Sequence, residues 1–214
     1  MIDIAIVGAG GFGHELACLI NHINKVKPTY RFIGYFDYSI PKGTVLRYGK
    51  VLGDSDEYNS WPTPLGLVIG VALTQKLKSI PGKITNPNIF FPNLIAPNVL
   101  FFDESSFSMG VGNIITFNCR FSCNVRLGNF NILNGGITFG HDVVVGNYNV
   151  FQPETRLSGE VTVGDQNYFG TRATVLQQIN IGNQTRIGAG SVVMRNTVDG
   201  KTYHGNPAKI IETK

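Results

Sequence analysis

Every sixth residue from Ile115 to Val193 carries a large apolar side chain: Ile115, Phe121, Leu127, Leu133, Phe139, Val145, Phe151, Leu157, Val163, Phe169, Val175, Ile181, Ile187 and Val193. Hydrophobic residues make up 43% of the chain, so chance would produce such a run on the order of once in 10⁵ trials. A helix repeats at 3.6 residues and a half-buried strand at 2. A period of six suits a chain that turns a corner every six residues. Three such sides close one triangular coil of 18 residues.

The same rows carry an 18-residue register. Gly110, Gly128, Gly146, Gly164 and Gly182 recur at that spacing, four of them followed by Asn129, Asn147, Asp165 and Asn183. Gly before Asn or Asp is turn chemistry, so positive φ is expected at these pairs. Asn131, Asn149 and Asn167 form a second column. Stacked amides can hydrogen-bond along the coil axis, one strand spacing of about 4.8 Å per coil. The remaining fifth positions are mostly small or β-branched, as at Cys119, Val125, Ala173 and Ser191. These features predict one parallel β-helix of triangular section.

The first third has another pattern. Ile2 to Val7 is an apolar run, and Gly8-Ala9-Gly10-Gly11-Phe12-Gly13 follows it. Apolar Leu16, Leu19, Ile20 and Ile23 then repeat at helical spacing. Strand, glycine turn and helix point backbone N–H groups at a phosphate. A second strand, Tyr30 to Phe36, ends at Asp37, where such folds hold a ribose or base. The alternative is a tight strand-to-helix turn with no ligand. Prolines at 81, 87, 92 and 97 mark a boundary. The expected organisation is an α/β Rossmann-like nucleotide-binding domain over 1–85, a β-helix over 86–198, and a tail over 199–214 that closes the last coil. Residues 1–85 have room for one nucleotide-diphosphate head group, not for the two halves of an NAD site.

Composition narrows the partners. The net charge is only +4 and no Lys/Arg run forms a stripe, so no nucleic-acid partner is expected. Three cysteines without a paired C-x-x-C point to a reducing compartment. No basic leader precedes the first strand and no long apolar segment interrupts the chain. The expectation is a cytoplasmic protein with no membrane insertion.

The hexads, as in Val163-Gly164-Asp165-Gln166-Asn167 and Ile187-Gly188-Ala189-Gly190-Ser191, resemble those of the hexapeptide-repeat acyltransferases. The resemblance implies a left-handed β-helix. With the glycine-rich domain in front, nearly the whole chain resembles the bacterial sugar acetyltransferases, which include UDP-4-amino-sugar N-acetyltransferases and the sialic acid O-acetyltransferase type. It implies acetyl-CoA as cosubstrate, a UDP- or dTDP-linked amino-dideoxy sugar as acceptor, no metal, and a homotrimer with active sites between neighbouring prisms. On this reading Gly8, Gly10, Gly11, Phe12, Gly13 and Asp37 bind the acceptor.

His141 stands two residues after the inward Phe139 and is expected at a corner, pointing out of the prism. The resemblance makes it the general base and Asp142 the acid that orients it. An imidazole takes a proton near neutral pH, and a neighbouring carboxylate selects its tautomer. Gly159 lies one coil further in the same column, where a bare backbone leaves room beside the ring and its N–H can polarise a thioester carbonyl. Relief of a turn is an equal alternative for this glycine. Relatives often carry a second histidine at the position of Asn149, so this residue is expected both at the donor and in the interior column. Gly170, Thr171, Gly188, Ala189 and the tail residue Lys209 are expected along the donor.

Other classes remain. Carbonic anhydrase on this scaffold needs three zinc histidines, whereas the repeats and tail hold only His141 and His204. A non-catalytic scaffold and an O-acetyltransferase of sialic acid or another sugar stay open as alternatives.

Overall fold

The structure is a computed structural model that describes residues 1–211. The final three positions of the expected closing tail, 212–214, lie outside the described residues. The chain divides into two compact units with the boundary between Pro97 and Asn98.

The first unit alternates strands and helices: β1 (Ile2–Val7), α1 (Gly11–Val26), β2 (Tyr30–Phe36), β3 (Val51–Gly53), α2 (Ser55–Asn59), β4 (Leu65–Ile69), α3 (Thr74–Ser79) and β5 (Ile89–Phe90). All pair in parallel, in the order β3-β2-β1-β4-β5. Ile4, Ala5 and Ile6 of β1 are buried completely. So are Leu16 and Ile20 of α1, whose spacing puts them on one helical face. β1 has β2 on one side and β4 on the other, so the chain order reverses across its carboxyl end. That is where open parallel sheets take ligands. The unit runs past the expected limit at 85 because Ile89 and Phe90 still pair with Leu65 and Gly66.

The second unit is a left-handed parallel β-helix of two-residue strands. One face stacks Leu100–Phe101, Arg120–Phe121, Thr138–Phe139, Arg156–Leu157, Thr174–Val175 and Val192–Val193. The next stacks Ser108–Met109, Arg126–Leu127, Val144–Val145, Thr162–Val163 and Asn180–Ile181. The third runs from Ile114–Ile115 through Tyr168–Phe169 to Arg186–Ile187. It continues into Thr202–Gly205, which turns back antiparallel into Ala208–Ile211.

All fourteen residues of the six-residue series are buried, none more than 4% exposed. Each contributes roughly 1.5–3 kcal/mol by leaving water. Phe151 and Phe169 stack with centroids 4.6 Å apart, and Phe139 meets Phe151 edge-on at 5.3 Å.

The corners are built differently from the expectation. Positive φ does not fall on the Gly-Asn pairs. It falls one residue later, on Phe130, Tyr148, Gln166 and Gln184, and recurs at Asn118, Asn124, Asp142, Glu154, Glu160, Arg172 and Gln178. The glycines serve close approach instead. A Cβ at Gly128 would lie 2.5 Å from the Gly146 carbonyl oxygen of the next coil. The following asparagines form an outer ladder: the Asn129 backbone and side-chain amides donate to Asn147 Oδ1, both at 2.9 Å.

Candidate active site

The glycine loop leaves β1 with φ of 103° at Gly8, and a Cβ at Gly13 would overlap the Gly8 carbonyl oxygen. The fold itself therefore demands glycine at both. Gly10 and Gly11 are different. A Cβ at either would meet nothing within 4 Å, and Gly10 has an ordinary φ of −79°. Neither packing nor conformation requires a bare backbone there, whereas a ligand pressed against the loop would. The half-buried Phe12 sits in the first turn of α1. That helix starts without a capping side chain or an acidic residue in its first turn. Its free N–H groups and dipole favour an anion.

Asp37 has a structural task that the sequence did not disclose. Its Oδ2 accepts from the Ala9 amide at 2.8 Å, which ties the glycine loop to the end of β2. Its Oδ1 accepts from the Ser39 and Ile40 amides at 2.8 and 3.2 Å. Any contact to a ribose or base would use its remaining lone pairs. Beside the loop, His14 meets Tyr35 and Tyr48 edge-on, with centroids 5.8 and 5.7 Å away. Burial pushes the Tyr35 hydroxyl up to about 12.

In the second unit the chain leaves strand Thr138–Phe139 through Gly140 and reaches an outer corner at His141 and Asp142. Both side chains are 48% exposed. Asp142 adopts φ of 58°, a conformation that Asp tolerates better than most residues. His141 Nδ1 lies 2.8 Å from Asp142 Oδ2. The hydrogen bonds from His141 and then Asn124 hold the Asp142 carboxyl below its ordinary range, so it is ionised at neutral pH. An ionised Asp accepts, so in the neutral ring Nδ1 carries the hydrogen and Nε2 the lone pair.

The ring lies over Gly159. A Cβ there would come 2.5 Å from Nε2 and 2.6 Å from Cε1. Gly159 has an ordinary φ, so what excludes a side chain is the imidazole and not a turn. Among the described residues nothing accepts from the Gly159 amide. A base nitrogen and a spare backbone donor thus stand side by side.

Sequence reasoning missed the residues around this pair. The Asn124 amide donates to Asp142 Oδ1 at 3.0 Å. One coil on from Asp142, Glu160 accepts from Gln177 and Gln178, each at 3.0 Å. Those two bonds, Gln178 first, hold its carboxyl below the usual range. The signal was present, since Asn124, Asp142, Glu160 and Gln178 stand 18 apart.

Asn149 does not face the donor, contrary to the expectation. It is 0% exposed, and its side-chain amide donates inward to Asn131 Oδ1 at 3.0 Å. Its own Oδ1 accepts from the Asn167 backbone and side chain at 2.8 and 3.0 Å. The interior column expected of it is its whole role. Thr171 and Ala189 are exposed on the corner that precedes strand Thr174–Val175. His141 and Gly159 occupy the corner that follows that face, so one chain does not bring the two groups together. A Cβ at Gly170 would come 2.5 Å from the Ala189 nitrogen, and one at Gly188 would strike the His204 ring. Lys209 is exposed in the closing hairpin, opposite His204.

Residues 3–80 match the family model described as the PglD N-terminal domain. With this domain in front of the hexapeptide coils, the chain is an acyltransferase built like the hexapeptide-repeat sugar acetyltransferases. Among solved structures, the chain is similar to WeeI from Acinetobacter baumannii AYE, at 25% identity and a TM-score of 0.88 over 99% of this chain and 100% of that one. It is also similar to the acetyltransferase domain of PglB from Neisseria gonorrhoeae FA1090 in complex with acetyl coenzyme A, at 25% identity and a TM-score of 0.87 over 98% of each chain. PerB from Caulobacter crescentus, in complex with CoA and GDP-perosamine, shares the fold at 24% identity and a TM-score of 0.84, covering 98% of this chain and 97% of that one. A search of curated protein sequences found no match. No helix among the described residues is long and apolar enough to cross a membrane.

Proposed function

We propose that this protein transfers the acetyl group of acetyl-CoA to the amine of a nucleotide-linked amino-dideoxy sugar. The observation that carries the reading is the corner itself. His141 is paired through Nδ1 with Asp142 at 2.8 Å and presents Nε2 above a glycine whose amide has no acceptor among the described residues. The sugar amine attacks the thioester carbonyl carbon. His141 Nε2 takes the proton that the new amide nitrogen sheds and passes it to the departing thiolate, so CoA leaves as the free thiol. Asp142 stabilises the imidazolium in between. The Gly159 N–H donates to the oxyanion.

The acceptor's diphosphate is assigned to the Gly8–Gly13 loop, on the strength of the two glycines that the fold does not explain and the uncapped start of α1. PerB, which shares the fold, is in complex with CoA and GDP-perosamine, and this supports a nucleotide-linked acceptor. In the homotrimer that the resemblance implies, the donor runs past Thr171, Ala189 and Lys209 of one subunit to the His141 corner of its neighbour. This would reconcile the separate corners within one chain. UDP- and dTDP-linked sugars are the first acceptors to test, with the GDP series alongside.

The test mixes the protein with acetyl-CoA and a panel of nucleotide-linked and free amino sugars and reads free thiol. Release that depends on the nucleotide-linked amine is expected. Equal turnover of a free sugar hydroxyl would favour O-acetylation of the sialic acid type. No turnover of any acceptor, with His141 intact, would favour a scaffold.

A further inference from the structure

We infer that Asn124 is a positioning residue for the base, clamping Asp142 from the coil below so that its second oxygen stays on His141. The inference rests on the proposed role of His141. Its own evidence is a continuous chain of contacts across two coils. Asn124 Nδ2 donates to Asp142 Oδ1 at 3.0 Å, and Asp142 Oδ2 faces His141 Nδ1 at 2.8 Å. The backbone is fixed as well. The Asp142 amide donates to the Cys123 carbonyl at 3.0 Å, and the Asn124 amide donates to Ser106 Oγ at 2.9 Å.

The need for a clamp follows from exposure. Asp142 and His141 are each about half open to water. An exposed pair of this kind is worth little by itself, because solvent competes and both side chains rotate. A donor on the far oxygen leaves the carboxylate one orientation in which both bonds are made. The second acid of the same column is held in a matching way, from the coil above, by Gln177 and Gln178. The column thus has an amide at each end and two carboxylates in the middle, with the imidazole beside them. Arg126 and Glu160 are the other charged groups that act on this pair.

The position offers a clean test. Asn124 has φ of 57°, so a purely conformational role would be met fully by glycine. Asn124→Gly keeps the corner and removes the amide. It is expected to fold with a near-normal thermal midpoint and to lose about 3- to 10-fold in kcat, the scale of one weakened charged hydrogen bond at an exposed site. KM for both substrates should change little. The acid limb of the kcat/KM profile should move to lower pH, because a loosened Asp142 supports the imidazolium less. Asn124→Gln restores a donor on a side chain that the same corner position carries, with positive φ, at Gln178, and should recover part of the loss. His141→Ala, run in parallel, separates the two levels. If it is inactive while Asn124→Gly keeps wild-type kcat and pH profile, the clamp is refuted. If His141→Ala turns over normally, the base reading falls and the clamp with it.

Discussion

At the scale of single residues, chemistry and stability separate at the His141 corner. His141 is exposed and fills no core space. His141→Ala should lower kcat by about 10²- to 10⁴-fold while the thermal midpoint stays close to wild type. Near-normal thiol release would remove the histidine from the mechanism. Gly159→Ala asks a finer question. Its methyl would arrive 2.5 Å from Nε2, against a ring that can rotate away, so the protein gives way at the base and not in the core. Activity should fall by about 10-fold or more, with the coil intact by circular dichroism. An unchanged kcat would mean that the ring does not need its place above Gly159.

At the scale of elements, the two units are stabilised by different devices. The β-helix has an amide ladder in its interior, from Asn113 through Asn131 and Asn149 to Asn167, with Thr185 accepted at the end. Asn149→Ala leaves the Asn167 backbone and side-chain donors without their acceptor in a dry interior. It should cost about 2–4 kcal/mol in urea unfolding. KM for acetyl-CoA should be unchanged in the fraction that folds, since the residue touches no solvent. A selective rise in that KM would contradict the ladder-only role.

The first unit depends partly on Glu57. Its carboxylate accepts from the Asp54 amide at 2.8 Å in the capping box of α2 and pairs with Lys42 at 3.1 Å. These contacts, the Asp54 amide first, lower its pKa from 4.5 to about 2. A depressed carboxylate stabilises the fold above its unfolded pKa, and the benefit disappears as pH falls through the folded value. The difference in thermal midpoint between wild type and Glu57→Gln should therefore be full at pH 6 and shrink between about pH 4.5 and 2. A difference that stays constant with pH would show that the charge does not contribute.

At the scale of the whole molecule, the proposed reaction calls for more than one chain. The corner with His141 and the corner with Thr171 and Ala189 flank the same face of one prism. A donor that reaches both needs a neighbour, and the resemblance supplies a three-fold one. Light scattering at micromolar concentration should report about three times the 23.4 kDa chain. An active monomer would require that the donor be held by His141's own corner alone.

The sequence by itself determined the architecture, because periodicity is a property of the chain. A six-residue apolar repeat buries one side chain per face whatever the details of the corners, and all fourteen positions went inward. The register also put His141, Asp142 and Gly159 at one corner, since an 18-residue coil turns sequence distance directly into neighbourhood, while the roles expected of them came from the resemblance. Three things were left to the tertiary structure. Positive φ fell on Phe130 and Tyr148 and not on the Gly-Asn pairs, because stacking of backbones set where the glycines were needed. Asn149 kept the interior place that the column gave it and lost the donor contact, because both ends of its amide are taken by Asn131 and Asn167. Asp37 went to the Ala9 amide, since only the folded sheet brings residues 28 apart within 2.8 Å. The 18-residue spacing placed Asn124 and Asp142 in one column, and the stacked coils decided that the amide donates to Asp142 Oδ1 at 3.0 Å.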